Sequence, residues 1–271
     1  MSILGVCIVT CDRPNHLESC IKSIRKGNYP CKIVVVDNGD VKKEQTYRIV
    51  EELCCTYLEG RNGNSPEGQN IGFNYLQTNV DFILKSDDDI EYSGDYINKL
   101  MEHILFDQGI CAVGGTCYSR HRKERVELKN GKWFCGDKDV SSRFMLWRVR
   151  RPPNLVDMRF LHGGFIYRVK DALTLRKHTQ KVRGEGPFGD YFSRVAYREE
   201  TEFSFLLREM TGQRLVLDTS AESFHYYAKG GIRRFDVKAC SRSDEKNMMN
   251  VFERLGKVPT ILPPFIGVLD E

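Results

Sequence analysis

The sequence has no run approaching the ~18 consecutive apolar residues that cross a bilayer as a helix, so no transmembrane segment is expected. Its first residues, Met1 to Thr10, lack the charged start, long apolar stretch and small-residue cleavage site of a secretory signal. Charge of one sign is also short: 41 Lys plus Arg face 37 Asp plus Glu, a balance of +4. So small a surplus excludes a dedicated nucleic-acid binder, whose domains carry a concentrated basic excess. No CxxC pair occurs among the 10 cysteines, and the 6 histidines are not paired at helical spacing, which argues against a structural zinc site. Several cysteines fall inside strand-like apolar runs, where a free thiol serves as a small hydrophobe. These absences lead to the expectation of a reduced, cytoplasmic protein with no nucleic-acid partner.

What is present suits a packed globular chain. The 271 residues are 41% hydrophobic and 29% charged, enough for a sizeable core, and α/β chains of about 250 residues often form one domain. The first hundred residues alternate strand and helix signals. Ile3 to Thr10 is an apolar β-rich run, and Asp12-Arg13-Pro14 opens a helix on which Leu17, Cys20, Ile21 and Ile24 recur at helical spacing. Cys31 to Val36 predicts a strand buried on both faces, Glu44 to Leu53 a helix, and Cys54 to Leu58 a third strand. Gln69 to Gln77 predicts a helix after a polar, glycine-bearing loop, and Asp81 to Leu84 a strand before Asp87-Asp88-Asp89. Successive βα units imply a parallel sheet covered on both faces, with ligands beyond the carboxyl ends of its strands. Thr10, Asp37 and the acid triplet each follow such an end.

The second half is less regular. A helix over Tyr96 to Phe106 and strands at Cys111 to Cys117 and Gly164 to Val169 precede a helix after Asp171. A helix from about Glu200 to Met210, two strands near Leu215 to Leu217 and Glu222 to Tyr226, and a helix over Asp244 to Leu255 follow. Tyr118 to Phe160 is polar and aromatic, with both tryptophans and the basic patches His121 to Lys123 and Arg148 to Arg151. The apolar tail Ile261 to Leu269 is broken by Pro263-Pro264 and leaves peripheral membrane association open.

Three adjacent carboxylates repel one another, so Asp87-Asp88-Asp89 needs a cation or donors to offset the repulsion. The plainer reading is a solvated turn or helix cap. An EF-hand fits poorly because Ile90 and Tyr92 occupy required positions; Mg2+ shared with phosphate oxygens fits better. Asp37 at a strand end suits a base N–H or a ribose hydroxyl, although Asp37-Asn38-Gly39 also makes an ordinary turn. The loop from Asn62 to Asn70 suits an anion at a helix start.

In this order the segments resemble the nucleotide-sugar-binding half of a family 2 glycosyltransferase with the GT-A fold. Val9-Thr10-Cys11-Asp12-Arg13-Pro14 is similar to that family's opening strand and turn, and Val35 to Gly39 to its base-reading strand end. Asn62-Gly63 with Gln69-Asn70-Ile71-Gly72 resembles its middle loop and helix, and Asp87-Asp88-Asp89 its DxD metal motif, Asp88 being the variable position. Arg198 to Phe203 is similar to its acidic pair at a helix start, and Phe224-His225-Tyr226 to its late histidine-bearing strand. A histidine in an aromatic strand is otherwise a packed structural group, and acids at a helix start otherwise complement its dipole.

The resemblance implies an α/β chain: a Rossmann-like αβα sandwich with a mostly parallel central sheet and a smaller antiparallel acceptor-side part. It implies one domain over 1–271, with a nucleotide-sugar half at 1–117 and an acceptor half at 118–271. It implies metal-dependent, inverting transfer from a nucleoside diphosphate sugar, UDP favoured, to an acceptor hydroxyl. Asp89, Asp87 and His225 would hold Mn2+ or Mg2+. Thr10, Arg13, Asp37, Asn62, Asn70, Asp87 and Asp88 would bind the donor. Glu200, with Glu199 as the alternative, would be the base. Lys229-Gly230-Gly231 and Arg233-Arg234 would close over the diphosphate. A non-catalytic nucleotide-sugar-binding protein and a sugar-nucleotidyltransferase are the competing readings; the latter's glycine- and Arg-rich loop after the first strand is not found.

Overall fold

In the computed structural model, which describes residues 3–60, 64–119, 126–129, 132–135, 138–139, 154–193, 196, 198–226 and 237–259, the opening apolar run is a strand, β1 (Leu4–Thr10), buried along its whole length. Helix α1 (Pro14–Lys26) starts at its proline and buries Leu17, Cys20, Ile21 and Ile24, the stripe read from the sequence. Strand β2 (Cys31–Asp37), helix α2 (Lys43–Glu52) and strand β3 (Thr56–Glu59) complete two parallel crossovers.

Helix α3 (Ser65–Leu76) begins four residues before the expected Gln69, because Asn64 caps it by accepting the Glu67 N–H at 2.9 Å and Pro66 suits the first turn. Gly72 lets this helix lie directly on β1: a Cβ there would sit 2.1 Å from the Cys7 sulfur. Strand β4 (Phe82–Asp87) runs through Ser86 and Asp87, beyond the expected Leu84. A tight turn of Asp88 and Asp89 leads into the short strand β5 (Ile90–Tyr92). Helix α4 (Tyr96–Phe106) has the expected bounds.

Strand β6 (Ile110–Ser119) precedes a three-stranded sheet of β7 (Val126–Lys129), β8 (Lys132–Cys135) and β9 (Lys138–Asp139). Then come β10 (Leu155–Met158), β11 (Phe165–Arg168), helix α5 (Val169–Arg183), helix α6 (Glu199–Thr211), β12 (Arg214–His225) and helix α7 (Val237–Arg254). The two strands expected near Leu215 and Glu222 are one strand, with a bulge where its register against β6 shifts between Asp218 and Glu222. Both tryptophans' side chains, the basic patches, Lys229 to Arg234 and the tail 261–269 lie outside the described residues.

The main sheet has nine strands, with β10, β12, β6, β11, β4, β1, β2 and β3 side by side and β5 attached to β12. Its β4-β1-β2-β3 side is parallel, and β11 enters antiparallel between β4 and β6. This is the mixed, mostly parallel α/β sandwich that the sequence resemblance implied. Two apolar cores cover its faces: one gathers Phe73, Phe165, Phe188, Phe203 and Phe252, the other Leu17, Ile21, Leu84, Tyr96 and Leu100. Each such fully buried side chain contributes roughly 1.5–3 kcal/mol. Helix α6 is held to α5 by a fully buried pair, Arg183 with Glu202. None of the described helices is long and apolar enough to cross a membrane.

Candidate functional site

Strand register assembles the site. Thr10 stands opposite Asp37, Asp37 opposite Glu59, and Val9 opposite Asp87, so the carboxyl ends of β1, β2 and β4 form one edge. Asp37 is almost fully buried; its Oδ1 accepts the Gly39 N–H at 2.8 Å and its Oδ2 the Tyr57 O–H at 3.2 Å. The first bond is the turn bond expected of Asp-Asn-Gly. Burial pushes the Asp37 carboxyl above its ordinary range against both donors. Asp12, in a left-handed conformation at φ 56°, accepts the Val41 and Lys42 N–H groups at 2.9 and 3.0 Å and shapes the loop beyond.

The acid triplet divides in two. Asp88, the expected variable position, is the most deeply placed: its side chain has 0% exposure, takes the Thr10 hydroxyl at 2.7 Å and pairs with the Arg13 guanidinium. Burial raises the Asp88 carboxyl, opposed by Arg13 and reinforced by the charge of Asp89. Arg13 also donates to Asp89 Oδ2 at 2.7 Å. On its other oxygen, Asp89 meets His225 Nε2 at 3.1 Å. That contact follows from register, because β12 pairs with β5 so that His225 lies opposite Ile90, next to Asp89, and the Tyr226 N–H donates to the Asp89 carbonyl at 2.7 Å.

Asp87 faces the other way. Its Oδ1 lies 3.0 Å from the Nζ of Lys85, a lysine with 0% exposure on the same strand. The same ammonium lies 3.0 Å from Glu200 Oε1 and 3.4 Å from Glu199 Oε1, at the start of α6. Burial alone would push Lys85 down; the three acids outweigh it and hold the ammonium well above its ordinary value. The two glutamates diverge. Burial and the charge of Glu200 raise Glu199, whereas Lys85, His162 and a hydrogen bond from Glu199 overcome burial at Glu200 and hold it below the carboxylate range. The two carboxyl groups therefore titrate as a coupled pair, with Glu199 shifted up and Glu200 shifted down. The Ser65 hydroxyl donates to Glu199 Oε1 at 3.2 Å, tying α3 to α6.

Among the described residues the expected ones are thus brought together, with Asn70, Asp87 and Asp88 each engaged by a protein partner. Asn70, expected to touch the donor, is occupied elsewhere: its amide donates to the Phe188 carbonyl and accepts the Phe188 N–H, both at 2.9 Å. With Asn64, whose amide donates to the Phe192 carbonyl, it pins the loop after α5 onto α3. Asp88, also expected at the donor, is turned inward to Thr10 and Arg13. Asn62 lies outside the described residues.

Sequence reasoning passed over Lys85 and His162. A charged residue inside the apolar run Phe82-Ile83-Leu84 was the available signal for the first. His162 precedes β11, whose register sets Phe165 opposite Lys85; desolvation lowers its pKa against the pull of Glu200, with Arg198 and Lys85 adding to the lowering. Chemically, the edge offers a hydrogen-bonded Asp89–His225 pair and, beside the same strand end, the carboxylates of Glu199 and Glu200.

Comparison with known proteins agrees with this layout. The family described as glycosyl transferase family 2 matches residues 5–179. Among curated protein sequences none matches the chain. GalNAc-T7, solved with UDP, GalNAc and Mn2+, superposes with a TM-score of 0.63 at 14% identity, over 93% of this chain and 48% of that one. Residues 1–349 of S. aureus TarS in complex with UDP-GlcNAc give 0.62 at 12% identity, over 93% of this chain and 65% of that one. The chain thus spans about half the length of the first and under two thirds of the second, and at these identities the likeness is one of fold.

Proposed function

The chain belongs to glycosyl transferase family 2, and from that premise we propose that it transfers a sugar from a nucleoside diphosphate, UDP favoured, to an acceptor hydroxyl with inversion at the anomeric carbon. The observation that carries this reading is the meeting of Thr10, Asp37 and Asp87 to Asp89 with His225, Glu199 and Glu200 at one sheet edge. Asp37, held by Gly39 and Tyr57, would receive a base N–H or a ribose hydroxyl. Residues 1–117 then form the donor half and 118–271 the acceptor half.

The donor set fits a divalent ion. Carboxylate and imidazole at Asp89 and His225 suit Mn2+, Mg2+ being the alternative, and two protein ligands leave positions for diphosphate oxygens. When bound, such an ion supplies positive charge against the leaving diphosphate. Asp87, expected beside it, is held by Lys85 instead. The Mn2+ and UDP present with GalNAc-T7 support this assignment.

Glu200 would take the acceptor proton. As the acceptor oxygen bonds to the anomeric carbon, the bond to the diphosphate oxygen breaks and the hydroxyl proton passes to the Glu200 carboxylate, an effect worth roughly 10²–10⁴ in rate. The downward shift of Glu200 beside the upward shift of Glu199 supports Glu200 over Glu199 as the acceptor of that proton. Helix α6, locked to α5 through Glu202 and Arg183, keeps the carboxylate in place.

Thermal unfolding with UDP, GDP, dTDP and their sugars, with and without Mn2+, tests the reading. A ligand at a hundred times its Kd should add about 2.7 kcal/mol, with UDP plus Mn2+ the largest. Unchanged melting with every nucleotide would refute it.

A further inference from the structure

Lys85 is out of place for a residue of its type. A lysine with 0% exposure on a central strand needs its ammonium compensated, and here three acids from two distant parts of the chain supply the compensation. The oxygens of Asp87, Glu199 and Glu200 all lie within 4.8 Å of one another, a spacing that would also hold a metal ion. The Lys85 ammonium, 3.0 to 3.4 Å from each acid, takes that role itself.

We propose that Lys85 is a positioning residue: it is the built-in counter-cation of the Asp87–Glu199–Glu200 cluster, fastens the end of β4 to the start of α6, and keeps divalent metal off Glu200. The physical argument is one of competition for lone pairs. A divalent ion at this point would bind the oxygens that must receive the acceptor proton, whereas an ammonium shares them through hydrogen bonds. A metal can depart with the product diphosphate; a tethered ammonium stays through every turnover. The register completes the design, since Asp87 is drawn to Lys85 while Asp89, on the far side of the turn, meets Arg13 and His225.

The kinetic part rests on the proposed transfer reaction; the metal-binding part does not. Calorimetric titration with Mn2+ alone, and with Mn2+ plus UDP, should find no more than one Mn2+ per wild-type chain. Lys85→Met should bind one Mn2+ more than wild type, because it leaves three acids without their cation. In UDP release from a UDP-sugar, its kcat should fall on the order of 10²-fold while the donor KM stays within about twofold, as for a lost base orientation. A purely structural role would move stability and leave that kcat-to-KM split absent. If Lys85→Met does not fold, Lys85→Met with Glu199→Gln removes one acid and is read in the same two ways. A second Mn2+ in the wild type overturns the proposal, as does a folded variant that gains no Mn2+ and keeps its kcat. If the wild type releases no UDP from any UDP-sugar, the transfer reading fails, and the Mn2+ count still decides on Lys85.

Discussion

Two acid clusters stand one residue apart in sequence and are neutralised by opposite means. Asp88 and Asp89 are served by Arg13, an 18% exposed side chain reaching across from the turn before α1, and by His225 from the last strand. Asp87, with Glu199 and Glu200, is served by Lys85, sealed in the sheet. A guanidinium near the surface can share Asp89 with an incoming cation; an ammonium with 0% exposure cannot step aside. The first cluster is arranged for a visitor and the second for permanence.

The comparison breaks most sharply at Glu200. Glu200→Gln should lower kcat for UDP release by roughly 10²–10⁴ with donor affinity within about twofold; near-normal turnover in single-turnover assays would transfer the role to another acid. Next, Arg13→Met strands the fully buried Asp88 carboxylate, and chemical denaturation should report a loss of about 3–5 kcal/mol. An unmoved midpoint would mean that Asp88 does not depend on Arg13.

Smaller effects sharpen the contrast. Asp89→Asn should weaken Mn2+-dependent UDP binding on the order of 10²-fold while UDP binding in EDTA is unaltered, as calorimetry can measure. An equal loss with and without metal would make Asp89 a nucleotide contact. Least of all, Glu199→Gln should cost less than about tenfold in kcat, because the amide can still donate a hydrogen bond to Glu200. A loss matching that of Glu200→Gln would exchange the two roles.

Much of this was legible in the chain itself, for a reason that also marks the limit. Strands β1, β2 and β4 are buried on both faces, so they read as apolar runs, and each ends in the residue that marks the site edge: Thr10, Asp37, Asp87. Helix α1 carried its proline and its stripe of Leu17, Cys20, Ile21 and Ile24. The start of α3 was missed because a lone Asn64 cap carries less signal than the glycines around it. The tie between Asn70 and the Phe188 backbone was not legible, because the two lie over a hundred residues apart and the bond leaves no trace near residue 70. Lys85 had a trace, a charge amid buried neighbours, but nothing local says which acids receive it.

The order of short motifs, with apolar runs and carboxylates at strand ends, determined the family and the edge of the sheet on which its chemistry falls. That follows because burial and turn chemistry are local properties. Which acid of the triplet faces which cation was decided by tertiary structure alone: β12 had to pair with β5 to bring His225 to Asp89, and α6 had to pack over β4 to bring Glu199 and Glu200 to Lys85. Electrostatic energy depends on separations of a few ångströms, and those are set by register and packing between segments far apart in the chain.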